Sequence, residues 1–110
     1  MAVGDIVLVA GTDCPPEKEE AFIKWYDEVH IPNILSFKGT REVRRYRIVS
    51  ENKDYPKYLV MYKIKQETFE DWLKSPEAAA SGVDSKNGAE KFEFQLKWGV
   101  RYQEVKEWKK

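Results

Sequence analysis

Trp25-Tyr26-Asp27-Glu28-Val29-His30-Ile31-Pro32, closed off by Phe37-Lys38-Gly39, is the stretch around which this chain is organised. It carries the single histidine of the sequence. Pro32 disfavours helical geometry at Ile31, so a regular helix is expected to end or kink near His30, with Asn33-Ile34-Leu35-Ser36 adding one further turn. Residues three and four apart share a helix face, which groups His30 with Ile23, Tyr26 and Asp27. An imidazole, a phenol and a carboxylate converging at a helix end are the parts of proton-transfer chemistry. The same residues also serve as packing and as a helix-end cation.

Upstream, residues 17–30 read as an amphipathic helix with Phe22, Trp25, Tyr26 and Val29 on one stripe. Asp13 is placed to cap it, and the neighbouring prolines suit a first turn. Before it, residues 5–10 form an apolar run that ends at Gly11 and reads as a central strand buried on both faces. Downstream, residues 40–50 and 57–65 alternate as strands joined by a polar connection. In the first of these, Arg44, Tyr46 and Ile48 oppose Val43, Arg45 and Arg47. In the second, Tyr58, Val60, Tyr62 and Ile64 oppose Leu59 and Met61. Thr68-Phe69-Glu70-Asp71 resembles a capping box, and Ser75-Pro76-Glu77 a fresh N-cap with proline at the first position. Residues 81–90, with Gly82 and Gly88, look least ordered. The last strand places Phe92, Phe94, Leu96, Trp98, Val100 and Tyr102 on one face.

That order, β-α-β-β-α-β, is the ferredoxin-like arrangement: an α+β fold in which two helices lie on one face of a four-stranded antiparallel sheet. Two helices cannot cover both faces, yet several strands are apolar on both. The open face is therefore expected to meet the sheet of a second copy, giving a homodimer. The 110 residues make one domain spanning 1–110. Lys plus Arg and Asp plus Glu number 19 each, so there is no net charge to attract nucleic acid or an anionic membrane. The RNA-recognition domain shares this topology, but the strand Lys57-Tyr58-Leu59-Val60-Met61-Tyr62-Lys63 lacks the glycines of its RNP motif. Cys14, the lone cysteine, precludes an internal disulfide and fits a reducing cytoplasm. The N-terminal Met1-Ala2-Val3-Gly4-Asp5 lacks the character of a signal peptide, so a cytoplasmic location is expected. With one His and one Cys, no His/Cys metal cluster can form, no phosphate-binding glycine loop is present, and no cofactor is expected.

The "WYDEVHIP" helix end, the Phe37-Lys38-Gly39 turn and the Arg45-Tyr46 strand resemble the EthD-like branch of the dimeric α+β barrel superfamily. The motif covers the middle third of the chain and the topology all of it. The resemblance implies sheet-to-sheet dimers with a cleft between helices and sheet, into which His30 would point. It also implies a range of chemistries: cofactor-independent monooxygenases, cyclases, isomerases and haem proteins, the last requiring His30 as axial ligand. Two departures stand out: Thr40 replaces an aromatic or aliphatic residue, and Lys38 precedes the glycine.

The residues support two functional readings. In the first, the protein is a metal-free enzyme acting on a small apolar or aromatic oxygenated molecule. His30 is the acid or base, Tyr26 and Asp27 orient it, and Arg45 clamps a developing oxyanion. Tyr46, Tyr62 and Trp98 complete the substrate site. In the second, the same homodimer binds a hydrophobic ligand without transforming it, in an accessory or stress role. Cys14, near a helix N-terminus but far from His30, lacks the neighbouring base a nucleophile needs.

Overall fold

A computed structural model describes residues 4–110; Met1 to Val3, part of the stretch read for a signal peptide, lie outside it. The strands are β1 (Ile6–Asp13), β2 (Thr40–Arg47), β3 (Tyr58–Ile64) and β4 (Gln95–Gln103). The helices are α1 (Glu19–Trp25), α2 (Ile31–Leu35), α3 (Phe69–Leu73) and α4 (Pro76–Phe92). The sheet is antiparallel throughout, in the order β2-β3-β1-β4. This is the ferredoxin-like fold, with both helical layers on one face.

The first helical layer does not stop at His30. A π turn over Tyr26–His30 joins α1 to α2, with the Ile31 N–H donating to the Tyr26 carbonyl five residues back. Pro32 has no N–H to give and crowds the carbonyl four residues earlier. Widening the helix by one residue per turn relieves both problems without breaking it. Ile31 accordingly keeps right-handed helical angles, φ −65° and ψ −45°, although it precedes proline. The turn after α2 is closed by Thr40, whose Oγ1 donates to the Ile34 carbonyl at 2.7 Å. A hydroxyl at this position thus closes off the end of the helix. Gly39 is required by a close approach, because a Cβ there would collide with Thr68 Oγ1.

Several local expectations are corrected. Asp13 does not cap a helix; it ends β1, which runs on through Gly11, and its Oδ1 accepts from the Lys57 N–H at 2.6 Å. Thr68 makes no capping bond, and its hydroxyl instead donates to the Lys65 carbonyl. Ser75 does cap, its Oγ accepting from the Ala78 N–H at 3.0 Å. From that cap α4 runs 17 residues, straight through the stretch expected to be loose. Its glycines weaken helix propensity, but tertiary packing overrides this: Gly88 is buried beneath the Trp25 ring. Glu93, with φ 56°, supplies the left-handed residue that ends the helix. Phe92 and Phe94 therefore precede β4 rather than belonging to it, and both are buried in the core with Phe22, Tyr26 and Val60. A second cluster of Ile34, Phe37, Ile64 and Trp72 packs alongside, and Tyr62 touches both.

A bulge in β4 decides which of its side chains reach the helices. Gly11 pairs with Trp98, but Thr12 pairs with Leu96, so Lys97 is an extra residue on β4. The pleat alternates faces, and the insertion reverses it. Leu96 thus comes to the helix side, whereas Trp98, Val100 and Tyr102 face away.

The two α4 glycines make a paired prediction. Gly88→Ala should destabilise the fold by about 1–3 kcal/mol, because its Cβ would meet Trp25 at 2.5 Å. Gly82→Ala, with nothing within 4 Å, should stabilise it by up to about 1 kcal/mol through helix propensity alone. Urea unfolding of both variants beside the parent measures the contrast.

Candidate functional site

Between α4 and the sheet lies a cavity of about 620 Å³, within the span of about 300–1,000 Å³ usual for small-molecule sites. Its roof is one face of α4, where Ala78, Ser81, Gly82, Ser85, Lys86 and Ala89 recur every three or four residues. Its floor follows from strand register. Tyr62, Leu8 and Arg101 stand side by side on β3, β1 and β4, and in the next row Val60, Ala10 and Gly99 do the same. Ala10 and Gly99 bring almost no side chain, so this row leaves the space open. Thr12 opposite Leu96 forms the following row.

His30 enters from the π turn. Its ring stacks on Trp25, five residues earlier, with centroids 5.4 Å apart and planes at 21°. Tyr26 meets it edge-on at 4.8 Å. An α-helix would bring residues three or four apart together; the wider turn brings the fifth. His30 lines the cavity, is only 6% exposed, and its Nδ1 is buried with no hydrogen-bond partner. Thr12, 2% exposed and also lining the cavity, leaves its Oγ1 unpartnered in the same way. Each such group costs roughly 1–3 kcal/mol in a closed core. Both border the cavity, His30 Nδ1 from the helical layer and Thr12 Oγ1 from the strand floor, and neither is satisfied by a protein group.

Electrostatics follow from the same burial. Loss of hydration pushes the His30 pKa below its ordinary 6.5, with the Asp84 carboxylate opposing part of the shift. The imidazole is therefore neutral at pH 7 and able to accept a proton. The Tyr26 phenol is pushed upward by burial and by Tyr62, with Arg45 opposing. Burial raises Tyr62 as well, with Arg101 opposing. Both phenols stay protonated, hence able to donate. A neutral base beside two phenolic donors, in a largely apolar hollow, can take a proton from a carbon acid and stabilise the enolate oxygen that results.

Of the residues singled out by sequence, His30, Tyr26 and Tyr62 meet in this cavity. Asp27 and Arg45 do not join them. They bind one another, Arg45 Nη1 to Asp27 Oδ1 at 2.6 Å and Nη2 to Oδ2 at 3.5 Å. This ion pair ties β2 to the π turn, so Trp25 and Tyr26, not Asp27, set the His30 ring. Tyr46 and Trp98 lie on the opposite face of the sheet. There they line a smaller cleft of about 230 Å³ with Pro56 and Leu59, because the pleat turns them away from the helices. Sequence reading missed Thr12, Ser81, Ser85, Lys86 and Arg101. The spacing of small residues along α4 was a usable signal; Thr12 and Arg101 reach the cavity only through strand pairing. Among the described residues no group of three or more His, Cys, Asp and Glu side chains converges as a metal site. No helix among them is long and apolar enough to cross a membrane.

Residues 6–95 match the model of the family described as Domain of unknown function (DUF4286). No curated protein matches the chain. Among solved structures it is similar to an ethyl tert-butyl ether D (EthD) family protein from Bacillus halodurans C-125, with 24% identity and a TM-score of 0.66 over 92% of this chain and 99% of that one. It is similar to HapK from Hahella chejuensis, with 11% identity and a TM-score of 0.66 over 96% and 97%. It is also similar to a dimeric ferredoxin-like protein of unknown function from Thermobifida fusca YX, with 11% identity and a TM-score of 0.59 over 96% and 93%. At these identities the likeness is one of fold, and it agrees with the EthD-like resemblance carried by the helix-end motif.

The buried imidazole makes stability depend on pH. Its folded pKa lies below the unfolded 6.5, so between those two values the unfolded chain holds more proton. Its contribution is complete above the unfolded value and is lost as pH falls through the folded one. Urea unfolding from about pH 8 down to about pH 5 should show stability declining below neutrality, and His30→Gln should flatten that decline.

Proposed function

The chain belongs to the family described as Domain of unknown function (DUF4286), a description that assigns no activity, and from the site itself we propose a homodimeric enzyme that moves a proton on a small apolar or aromatic oxygenated molecule. The observation that carries this reading is His30, neutral and buried, with an unpartnered Nδ1 on the wall of a cavity large enough for such a molecule. His30 takes the proton from a carbonyl-adjacent carbon, and the Tyr26 and Tyr62 hydroxyls donate to the enolate oxygen. Returning the proton to another carbon gives isomerisation; attack by the enolate carbon on a second carbonyl gives ring closure. Both need only the groups present. A second reading, binding without turnover, is favoured by one feature: among the described residues, no carboxylate lines the cavity to orient His30.

The homodimer rests on the outer sheet face. Val9, Leu59, Met61, Tyr46, Val100 and Tyr102 fall on this side by register. Tyr46 remains 44% and Tyr102 61% exposed. A face this apolar is the sort that associates, and a similar solved structure is described as dimeric.

Two measurements test these proposals. In heavy water, the protein should accelerate deuterium uptake at the carbonyl-adjacent carbon of small aromatic ketones or lactones, and His30→Gln should lower that rate by about a hundredfold or more. Gly99→Val, whose new Cβ meets nothing closer than the Val9 carbonyl at 4.0 Å, should fold normally yet block the reaction by filling the floor. Exchange that is unchanged in His30→Gln would remove the enzyme reading. Sedimentation equilibrium should find a dimer for the parent and a monomer for the Tyr46→Glu/Tyr102→Glu double variant.

A further inference from the structure

The ionisable side chains lining the His30 cavity are unbalanced. Besides the histidine and the two phenols they are Arg101 and Lys86, both cationic, with no acidic residue among the described lining. Neither cation has a carboxylate within 4.0 Å among the described residues, whereas Arg41, Arg44 and Arg45 each hold one. Arg47, also without one, lies apart at the smaller cleft. Arg101 is also held in place: its guanidinium lies over the Phe69 ring at 5.7 Å. A cation near a ring face spends no hydrogen-bond donor on it, so the guanidinium N–H groups remain available to a bidentate acceptor. Strand pairing sets Arg101 two strands from Tyr62, with Leu8 between them, and its charge reaches the Tyr62 phenol.

We propose that the molecule occupying this cavity is an apolar or aromatic carboxylate, its acid group held at the mouth by Arg101 and Lys86 and its body lying over the Ala10–Gly99 floor toward His30. This rests on the cavity being a ligand site. Arg101 and Lys86 are both exposed, so the carboxylate keeps part of its hydration there and avoids the cost of burying a charge. The unpartnered Thr12 Oγ1 and His30 Nδ1 lie deeper, among the buried side chains, where the uncharged oxygens of such a molecule would reach. The charge-assisted fork supplies orientation as well as affinity, fixing which carbon faces the imidazole.

Naphthoate and naphthamide, matched in shape and differing in charge, separate the possibilities when titrated against the full chain while the His30 ring protons are followed by NMR. The expected result is that both move the His30 signals and naphthoate binds about tenfold more tightly. Arg101→Gln should then abolish most of that preference and Lys86→Gln part of it. Both sites are exposed, and unchanged circular dichroism would show that the variants fold. Equal affinity for the two compounds, with His30 still responding, would overturn the carboxylate proposal and leave the cavity reading intact. A naphthoate preference that survives both substitutions would also overturn it. If neither compound disturbs His30, the cavity reading fails and the proposal falls with it.

Discussion

The structure depends on one missing hydrogen. Pro32 cannot donate to the carbonyl four residues before it, and the helix answers by widening over Tyr26–His30 instead of ending. The setting of His30 stems from that change of phase. The imidazole lies over Trp25 rather than turning toward Asp27, and Asp27 is left to meet Arg45. Gly88 is needed beneath Trp25 because the indole, thus placed, leaves no room for a methyl group. A proline and an indole from one stretch of the chain and a glycine from another are in effect one constraint, and the histidine is its output.

Local patterning carried the architecture. The β-α-β-β-α-β order, the Ser75 cap and the inward set of Val60, Tyr62 and Ile64 are all legible from periodicity and turn chemistry, since each depends on near neighbours. What could not be read locally was set by contacts across the chain. The helix over 81–90 is held by packing against Trp25, far away in the sequence. The reversal of Leu96 comes from an extra residue in β4 whose only signature is its pairing with β1. The π turn had a visible cause in Pro32, but a kink and a widened turn are alternative responses to it.

The site divides along the same line. His30, Tyr26 and Tyr62 were identifiable because they sit on elements whose inward faces are plain. Asp27 is grouped with His30 by a face rule that holds for a regular helix; the wider turn directs Asp27 outward to the strand carrying Arg45. Tyr46 and Trp98 were grouped with the pocket by residue type, and the pleat separates them from it. Arg101 and Thr12 are ordinary polar residues in the sequence and gain meaning only from which strands adjoin.

The floor of the cavity has a consequence for how such a protein changes over generations. Ala10 and Gly99 belong to neither hydrophobic cluster, although Val60 at the end of their row belongs to the first. A Cβ added at Gly99 meets nothing closer than the Val9 carbonyl at 4.0 Å, so a first methyl group can be placed in the hollow while the packing that holds the fold stays as it was. Proteins tolerate little loss of stability before selection removes them, and a site whose shape is uncoupled from that margin is free to wander. Lineages with this scaffold can alter the shape of the hollow by substitutions that are nearly silent to folding. Divergence of cavity shape on a constant fold is what such an uncoupled floor permits.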